Sequence, residues 1–202
     1  MLFLLALPLA GCGGGSSASP PLRATTTAAP APSTSAATTR SGPSPLTPDA
    51  TSAATGDIPD NQVFLSFHNT QAAYTMKVPE GWAQTGGGAR VTFRDKNNVV
   101  RVVIAPGGSI TAAAARTDVS RTPGATVTRS PQAVTVSGLP AVKLAYTTTS
   151  APNAVTGKRV VLVVDRYYLW HGGKRAVLDL GTPQGVDNVD AYRLMSESFR
   201  WR

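Results

Sequence analysis

Residues 158–180 read KRVVLVVDRYYLWHGGKRAVLDL, and this stretch decides the fold. Two apolar runs rich in β-branched and aromatic residues, Lys158–Trp170 and Arg175–Leu180, flank His171-Gly172-Gly173-Lys174. A Gly-Gly pair supplies the positive φ angles that a two-residue hairpin turn requires. The stretch therefore predicts a long antiparallel β-hairpin.

Further strand candidates precede this hairpin. They are Val63–Phe67, Tyr74–Val78, Ala89–Arg94, Val99–Ala105, Gln132–Val136 and Ala141–Thr148. The third and fourth are separated by Asp95-Lys96-Asn97-Asn98, which is typical of a turn and joins them as a second hairpin.

Two segments predict helices. The first runs from about Thr111 to Val119, with Ser109 as its expected N-cap. The second runs from about Val189 to Ser198, and the helical period places Val189, Tyr192, Met195 and Phe199 on one face. Many antiparallel strands with two or three helices indicate an α+β domain, since strands and helices do not alternate as in a Rossmann-type fold.

The composition divides the chain near residue 57. Residues 57–202 contain all three Trp and all five Tyr, and their length is typical of one domain with its own core. Residues 13–56 consist almost entirely of Gly, Ser, Thr, Ala and Pro. Such a segment buries too little apolar surface to offset its ordering entropy, so we expect a disordered tether.

The N-terminus is typical of an exported protein. Residues 1–11 are uncharged and mostly apolar, and they are too few to span a bilayer, which indicates the apolar region of a signal peptide. Leu9-Ala10-Gly11-Cys12 resembles the bacterial lipobox, which implies cleavage before Cys12 and attachment to its thiol of a diacylglycerol, which carries fatty acyl chains such as palmitate. Because no Lys or Arg precedes Cys12, we expect the true start to lie upstream. Cys12 is the sole cysteine, so an internal disulfide is excluded.

Several short motifs together resemble the PsbP-like fold, and within that group the actinobacterial lipoproteins of the LpqN type. They are Tyr74 with Val78-Pro79-Glu80-Gly81-Trp82, then Gly138-Leu139-Pro140-Ala141, Arg166-Tyr167-Tyr168 with Gly172-Gly173-Lys174, and Ser198-Phe199-Arg200-Trp201. The resemblance implies a curved antiparallel sheet with helices on both faces. It implies no catalytic residues and no cofactor, and it implies an accessory or docking role.

No motif in the sequence predicts a catalytic or metal site. His68 and His171 each lie beside a predicted turn, without a second His, a Cys or a carboxylate pair at metal-ligand spacing. A hydrolase would need a distant Ser aligned with His171 and Asp179, and the chain has no Gly-x-Ser-x-Gly elbow.

The charge of the domain points to an anionic partner. Residues 57–202 hold 17 of the 19 Lys and Arg and 10 of the 11 Asp and Glu, a net charge of +7 (17 − 10). Export argues against nucleic acid, so we expect an anionic envelope component or an envelope protein as the partner. The densest patch is the last hairpin, with Arg166, Tyr167, Trp170, His171, Lys174 and Arg175.

Two positions in this prediction have an alternative interpretation. Trp170 either contacts a partner from the hairpin tip or points into the core, in which case the charges only solvate the hairpin. Trp82 either lines a groove or belongs to the core.

The sequence thus favours a non-catalytic binding or accessory lipoprotein, anchored to the extracytoplasmic face of the membrane. Two alternatives stay open. One is a carrier that encloses a lipid or a hydrophobic small molecule under its curved sheet. The other is an envelope hydrolase built on His171.

Overall fold

The computed structural model describes residues 56–153 and 156–202. All of these belong to the second of two compact units, Ser41–Arg202. The predicted signal peptide, Cys12 and all of the predicted tether except its last residue, Gly56, lie outside the described residues, so those predictions are untested.

The described residues form ten strands and two helices. The first five strands are β1 (Phe64–Asn69), β2 (Tyr74–Pro79), β3 (Ala83–Gly87), β4 (Arg90–Asp95) and β5 (Asn98–Pro106). The other five are β6 (Thr126–Val136), β7 (Leu139–Thr149), β8 (Val161–His171), β9 (Lys174–Pro183) and β10 (Arg200–Trp201). The helices are α1 (Ala112–Ser120) and α2 (Val189–Glu197), and neither is long and apolar enough to cross a membrane.

The strands form two antiparallel sheets. The large sheet has the order β3-β4-β5-β9-β8-β7-β6, and the small sheet has the order β1-β2-β10. The predicted hairpin is confirmed as β8–β9 within the large sheet, with His171 paired to Lys174. Gly172 and Gly173 have φ angles of 55° and 73°, as the turn requires.

The large sheet separates two apolar clusters. On one face, Leu162 and Tyr168 of β8 pack with Ala115 and Val119 of α1. The alternate side chains of the same strands lie on the other face, towards the small sheet and α2. The cluster on that face includes Leu169 and Leu178 of the large sheet, Tyr74 and Met76 of β2, and Tyr192 and Met195 of α2. Side chains alternate along each strand, so the strands β5 to β9 supply side chains to both clusters.

The resemblance predicts helices on both faces of the large sheet, and the structure differs from this expectation. α1 packs on one face, whereas much of the other face is covered by the small sheet, with α2 packed beside β2. The architecture is therefore mainly sheet. The inward side chains of β2 bury apolar surface that a helix would otherwise have to cover.

Two strands differ from their predictions at the edges of the large sheet. β3 was not predicted, because its five exposed residues show no alternation of polarity. β6 starts at Thr126, six residues before the predicted Gln132, and contains Pro131 with two register shifts. Proline is tolerated there because an edge strand leaves some of its N–H groups unpaired.

Two helix details are also corrected. Thr111, not Ser109, caps α1, and its hydroxyl accepts a hydrogen bond from the Ala114 N–H at 3.2 Å. In α2, Tyr192 and Met195 are buried, as is Phe199 beyond its end, but Val189 is 70% exposed. Val189 lies in the first turn on the solvent side of the helix, whereas Tyr192 and Met195 lie on the side that faces the core.

Aromatic rings fill the space between the two sheets. Phe67 packs edge-on against Phe93 at 5.0 Å, and Tyr74 stacks on Phe199 at 5.3 Å, which in turn meets Trp201 at 5.3 Å. A carrier of the kind predicted as an alternative would hold its ligand here. The packing of these rings therefore does not favour the carrier hypothesis.

Candidate functional site

The tip of the β8–β9 hairpin presents only part of the predicted patch to solvent. His171 and Lys174 are exposed, whereas Trp170 is half-buried and packs against the cluster beneath α1. Arg175 donates hydrogen bonds to the carbonyl oxygens of Gly108 and Ser109, at 2.8 and 3.1 Å. It thereby fastens the loop that leads into α1.

Arg166 does not belong to an exposed patch, because it is only 4% exposed. It lies between the large sheet and α1, where its Nε and Nη2 donate to the two carboxylate oxygens of Asp179 at 2.5 and 3.0 Å. Nη1 donates to Asp118 of α1 at 3.1 Å, and Nη2 also donates to the Tyr146 hydroxyl at 3.2 Å. Arg101 donates to the same Asp179 from the rim.

The buried charges shift the ionisation of their neighbours. Burial, followed by the charge of Asp179, raises the pKa of the Tyr146 hydroxyl to about 12. Burial by itself would lower the pKa of Arg166, but the hydrogen bonds and charge of Asp179 raise it above its ordinary value. Tyr168 donates to Asp118 at 2.7 Å, and burial and that bond raise its pKa. The network therefore holds α1 against the sheet through Asp118.

Tyr167 and Trp82 both lie on the side of the large sheet that faces the small sheet. Tyr167 is buried, and the ammonium group of Lys143 lies 4.9 Å from the centre of its ring. Lys143 also pairs with Asp165 at 2.8 Å. Trp82 is half-buried and packs on the apolar cluster. The alternation of β8 thus places Arg166 and Tyr167 on opposite faces.

The residues required by the hydrolase alternative are separated. Asp179 is buried with Arg166 beneath α1, while His171 belongs to the opposite face of the sheet and lies at the hairpin tip. Five register pairs separate them along the hairpin, about 17 Å at about 3.4 Å per residue. Among the described residues, no three of His, Cys, Asp and Glu are grouped as metal ligands.

A second basic surface, not predicted from the sequence, lies beside α2. We call it the basic cleft; its volume is about 780 Å³, and its walls are the outer face of the small sheet and one side of α2. Four cations line it: Lys77, Arg193, Arg200 and Arg202. The lining also includes the hydroxyls of Ser66, Thr75 and Ser198, the imidazole of His68, and the carboxylates of Asp190 and Glu197.

The end of α2 positions these side chains. Ser198 caps the helix, donating to the Met195 carbonyl oxygen at 2.6 Å and accepting from the Lys77 N–H at 2.8 Å. The chain then pairs with β2 as β10, and the Arg202 N–H donates to the Ala73 carbonyl oxygen at 2.8 Å. A residue of β2 and the last turn of α2 are thereby brought to one concave surface.

The cations of the basic cleft differ in how far their charges are compensated. Arg193 pairs with Asp190 at 2.8 Å, but both side chains are largely exposed, so the pair contributes little. Arg200 donates to the carbonyl oxygens of Glu197 and Phe199. The side chains of Lys77 and Arg202 make no ion pair or hydrogen bond with the part of the chain that the structure describes.

An acidic cleft of about 730 Å³ adjoins the basic cleft near the start of α2, and Asp190 and Leu194 line both. Its carboxylates are Asp57, Asp60, Asp187 and Asp190. The first described residue, Gly56, is fastened next to it: its carbonyl oxygen accepts from Asn98 at 2.6 Å and from Asn188 at 3.1 Å. The first described residue is therefore held beside the acidic cleft.

Sequence reasoning missed the basic cleft because its cations are far apart in the chain. Lys77 and Ser198, which are in contact, are 121 positions apart. One signal was available: Arg193, Arg200 and Arg202 lie within the last ten residues, on or just beyond a predicted helix. His68, for which the sequence predicts no catalytic or metal-binding role, lines the same cleft.

Comparison with solved structures identifies the fold. The cyanobacterial PsbP protein CyanoP of Synechocystis sp. PCC 6803 superposes with a TM-score of 0.52 at 19% identity, covering 73% of this chain and 98% of that one. The Ran-binding protein Mog1p of Saccharomyces cerevisiae has a TM-score of 0.43 at 10% identity, covering 70% and 96%. LpqN of Mycobacterium tuberculosis, described as involved in cell envelope biogenesis, has a TM-score of 0.39 at 16% identity, covering 69% and 91%.

These likenesses concern the fold alone. No protein-family model matches the chain, and no curated protein sequence matches it. The described domain has a PsbP-like fold.

Proposed function

We propose that this chain is a cell-envelope lipoprotein whose folded domain is a non-catalytic binding or accessory module. Its anionic partner, an envelope protein or another envelope component, docks in the basic cleft. The lipid on Cys12 anchors the protein to the extracytoplasmic face of the membrane. The tether of residues 12–56 then spans on the order of 35–40 Å.

The observation that carries this proposal is the convergence of four cations on one concave surface, the basic cleft. A buried cation is expected to be paired, as Arg166 is, whereas an exposed cation is commonly solvated and unpaired. Lys77 and Arg202 point their charges into a concave surface without a partner among the described residues. Converging like charges repel one another, and an anionic partner relieves this repulsion and is steered to it.

The proposal is tested by crosslinking in intact cells with the full-length lipidated protein. Lys77→Glu with Arg202→Glu reverses the two uncompensated cations. Arg129→Glu with Lys158→Glu is the matched control, because both residues are exposed and lie outside the cleft lining. Each pair of substitutions lowers the net charge from +8 by the same amount.

The expected result is a crosslinked species that disappears in the cleft variant and persists in the control. Cys12→Ala is expected to release the protein from the membrane fraction and reduce the crosslink. Equal crosslinking in the cleft variant and the control would refute the assignment of the cleft. A membrane fraction unchanged by Cys12→Ala would refute the anchor.

A further inference from the structure

We infer that the basic cleft binds a phosphate ester of a polyol, such as a glycerophosphate. This inference rests on the proposed function, because it takes the cleft to be the binding surface. It specifies the chemistry of the bound group, which the proposed function leaves open.

The small sheet places a hydroxyl next to a cation twice on its outer face. Ser66 of β1 lies directly opposite Lys77 of β2, and Thr75 of β2 lies directly opposite Arg200 of β10. Residues opposite each other in an antiparallel pair share a face, with Cβ atoms about 4.5–5.5 Å apart. All four of these side chains line the cleft.

Two cation–hydroxyl pairs suit a phosphate better than a carboxylate. Lys77 and Thr75 are two positions apart on one strand, so the pairs lie about 7 Å apart. A phosphate presents three or four oxygens and up to two charges, and phosphate oxygens accept bonds from Lys, Arg, Ser and Thr side chains. A carboxylate has two oxygens and one charge, and it would satisfy one pair only.

The opposite wall of the cleft favours a polyol attached to that phosphate. α2 contributes the carboxylates of Asp190 and Glu197 to the lining. A carboxylate repels a phosphate but accepts hydrogen bonds from hydroxyl groups. A ligand with a phosphate at one end and hydroxyls at the other matches the two walls, and 780 Å³ is ample for a group of this size.

A phosphate ester of this kind is present both in lipid headgroups and in soluble or wall-bound molecules. The carboxylates of the acidic cleft repel an anionic membrane. The basic cleft adjoins that cleft, because Asp190 and Leu194 line both. The experiment therefore distinguishes a headgroup in a membrane from a free phosphate ester.

Binding is measured with the full-length chain carrying Cys12→Ala, so that the anchor does not contribute. Calorimetric titrations use sn-glycerol 3-phosphate, inorganic phosphate and glycerol. Flotation uses phosphatidylcholine vesicles with and without phosphatidylglycerol. We expect glycerol 3-phosphate to bind more tightly than inorganic phosphate, and glycerol not to bind. Flotation with phosphatidylglycerol vesicles alone would assign the site to a lipid headgroup, and binding of the soluble ester would assign it to a free phosphate ester.

Substitutions connect the binding to the cleft. Lys77→Glu with Arg200→Glu reverses the cations of the two pairs and is expected to weaken binding by about tenfold or more, and Arg129→Glu with Lys158→Glu to leave it within about twofold. The neutral pair Lys77→Gln with Arg200→Gln should fall between them, and circular dichroism verifies that each variant is folded. Equal loss in the cleft variant and its control, or no binding of either phosphate source, overturns the inference. If phosphate probes fail while cellular crosslinking still depends on the cleft, the proposed function stands and only the phosphate assignment fails.

Discussion

Replacing Arg166 with Met tests whether this arginine is a structural residue or a binding residue. The sequence predicts Arg166 as part of a partner-binding patch, but its guanidinium is enclosed between the large sheet and α1. The substitution removes two hydrogen bonds to Asp179, one to Asp118 and one to the Tyr146 hydroxyl. Methionine retains much of the apolar volume of the side chain, so the lost interactions dominate the change in stability.

The expected cost is about 3 kcal/mol in the free energy of unfolding. Removing one partner of a buried ion pair typically costs about 3–5 kcal/mol, because the other charge is left buried. The lower end applies here, since Asp179 retains Arg101. For a domain of this size, about 3 °C of melting temperature is lost per kcal/mol, so the melting temperature should fall by about 9 °C.

Arg101→Met is the matched control, because Arg101 pairs with the same carboxylate but its side chain is 45% exposed. The Arg101→Met substitution should lower the free energy of unfolding by less than about 1 kcal/mol. Guanidinium unfolding followed by tryptophan fluorescence measures both variants, and Trp82, Trp170 and Trp201 report on the domain.

The structural interpretation of Arg166 is refuted if the two variants lose the same stability. Crosslinking in cells, performed below the transition temperature, should be unchanged in the Arg166 variant. A stable variant that no longer crosslinks would show that Arg166 contacts the partner, as the sequence suggests.

Three further outcomes are expected. Burial and Asp179 raise the pKa of Tyr146 from 10.0 to about 12, so its contribution to stability is complete below pH 10 and is lost as the pH rises towards 12. Between these two pH values, the loss of this contribution should lower the free energy of unfolding by about 2–3 kcal/mol. The stability of Tyr146→Phe should therefore fall less steeply with pH than that of the wild type, and identical slopes would contradict the raised pKa. At the hairpin tip, Trp170→Ala should lower the free energy of unfolding by about 3 kcal/mol, and Lys174→Ala should lower it by less than about 0.5 kcal/mol. Chemical denaturation measures both values, and similar losses would show that Trp170 is not packed. A Cβ at Gly181 would lie 2.8 Å from Cγ1 of Val99, so Gly181→Ala should lower the free energy of unfolding by about 1–3 kcal/mol. Adding Val99→Ala to this variant should restore part of the lost stability. An unchanged stability in Gly181→Ala would disprove the close contact.

Local signals in the sequence are sufficient for much of the fold. The period-two pattern and the Gly-Gly turn predict β8–β9, because they depend only on neighbouring residues. The helical period likewise places Tyr192 and Met195 on the buried side of α2. β3 is missed because an exposed edge strand needs no apolar alternation.

Whether a particular side chain of a predicted strand is buried depends on which element covers that face of the large sheet. Strand alternation already implies that Arg166 and Tyr167 point in opposite directions, but not that α1 covers the first. The partners of Arg166 are Asp118, 48 positions away, and Asp179, 13 positions away. No local pattern distinguishes such a buried arginine from an exposed one on the same hairpin, because the difference lies in its partners.

The sequence by itself determined the α+β class, the main hairpins, the buried side of α2 and the net positive charge of the domain. It also contains the lipobox-like segment at Cys12, from which the anchor is proposed, and the Gly-, Ser-, Thr-, Ala- and Pro-rich segment that is predicted to be a tether. Only the tertiary structure decided where the positive charge is concentrated. Lys77 meets the end of α2 because β10 pairs with β2 and Ser198 accepts a bond from the Lys77 N–H across 121 positions. Periodicity and turn chemistry specify local conformation, whereas the pairing of distant strands follows from burying both faces of the large sheet at once.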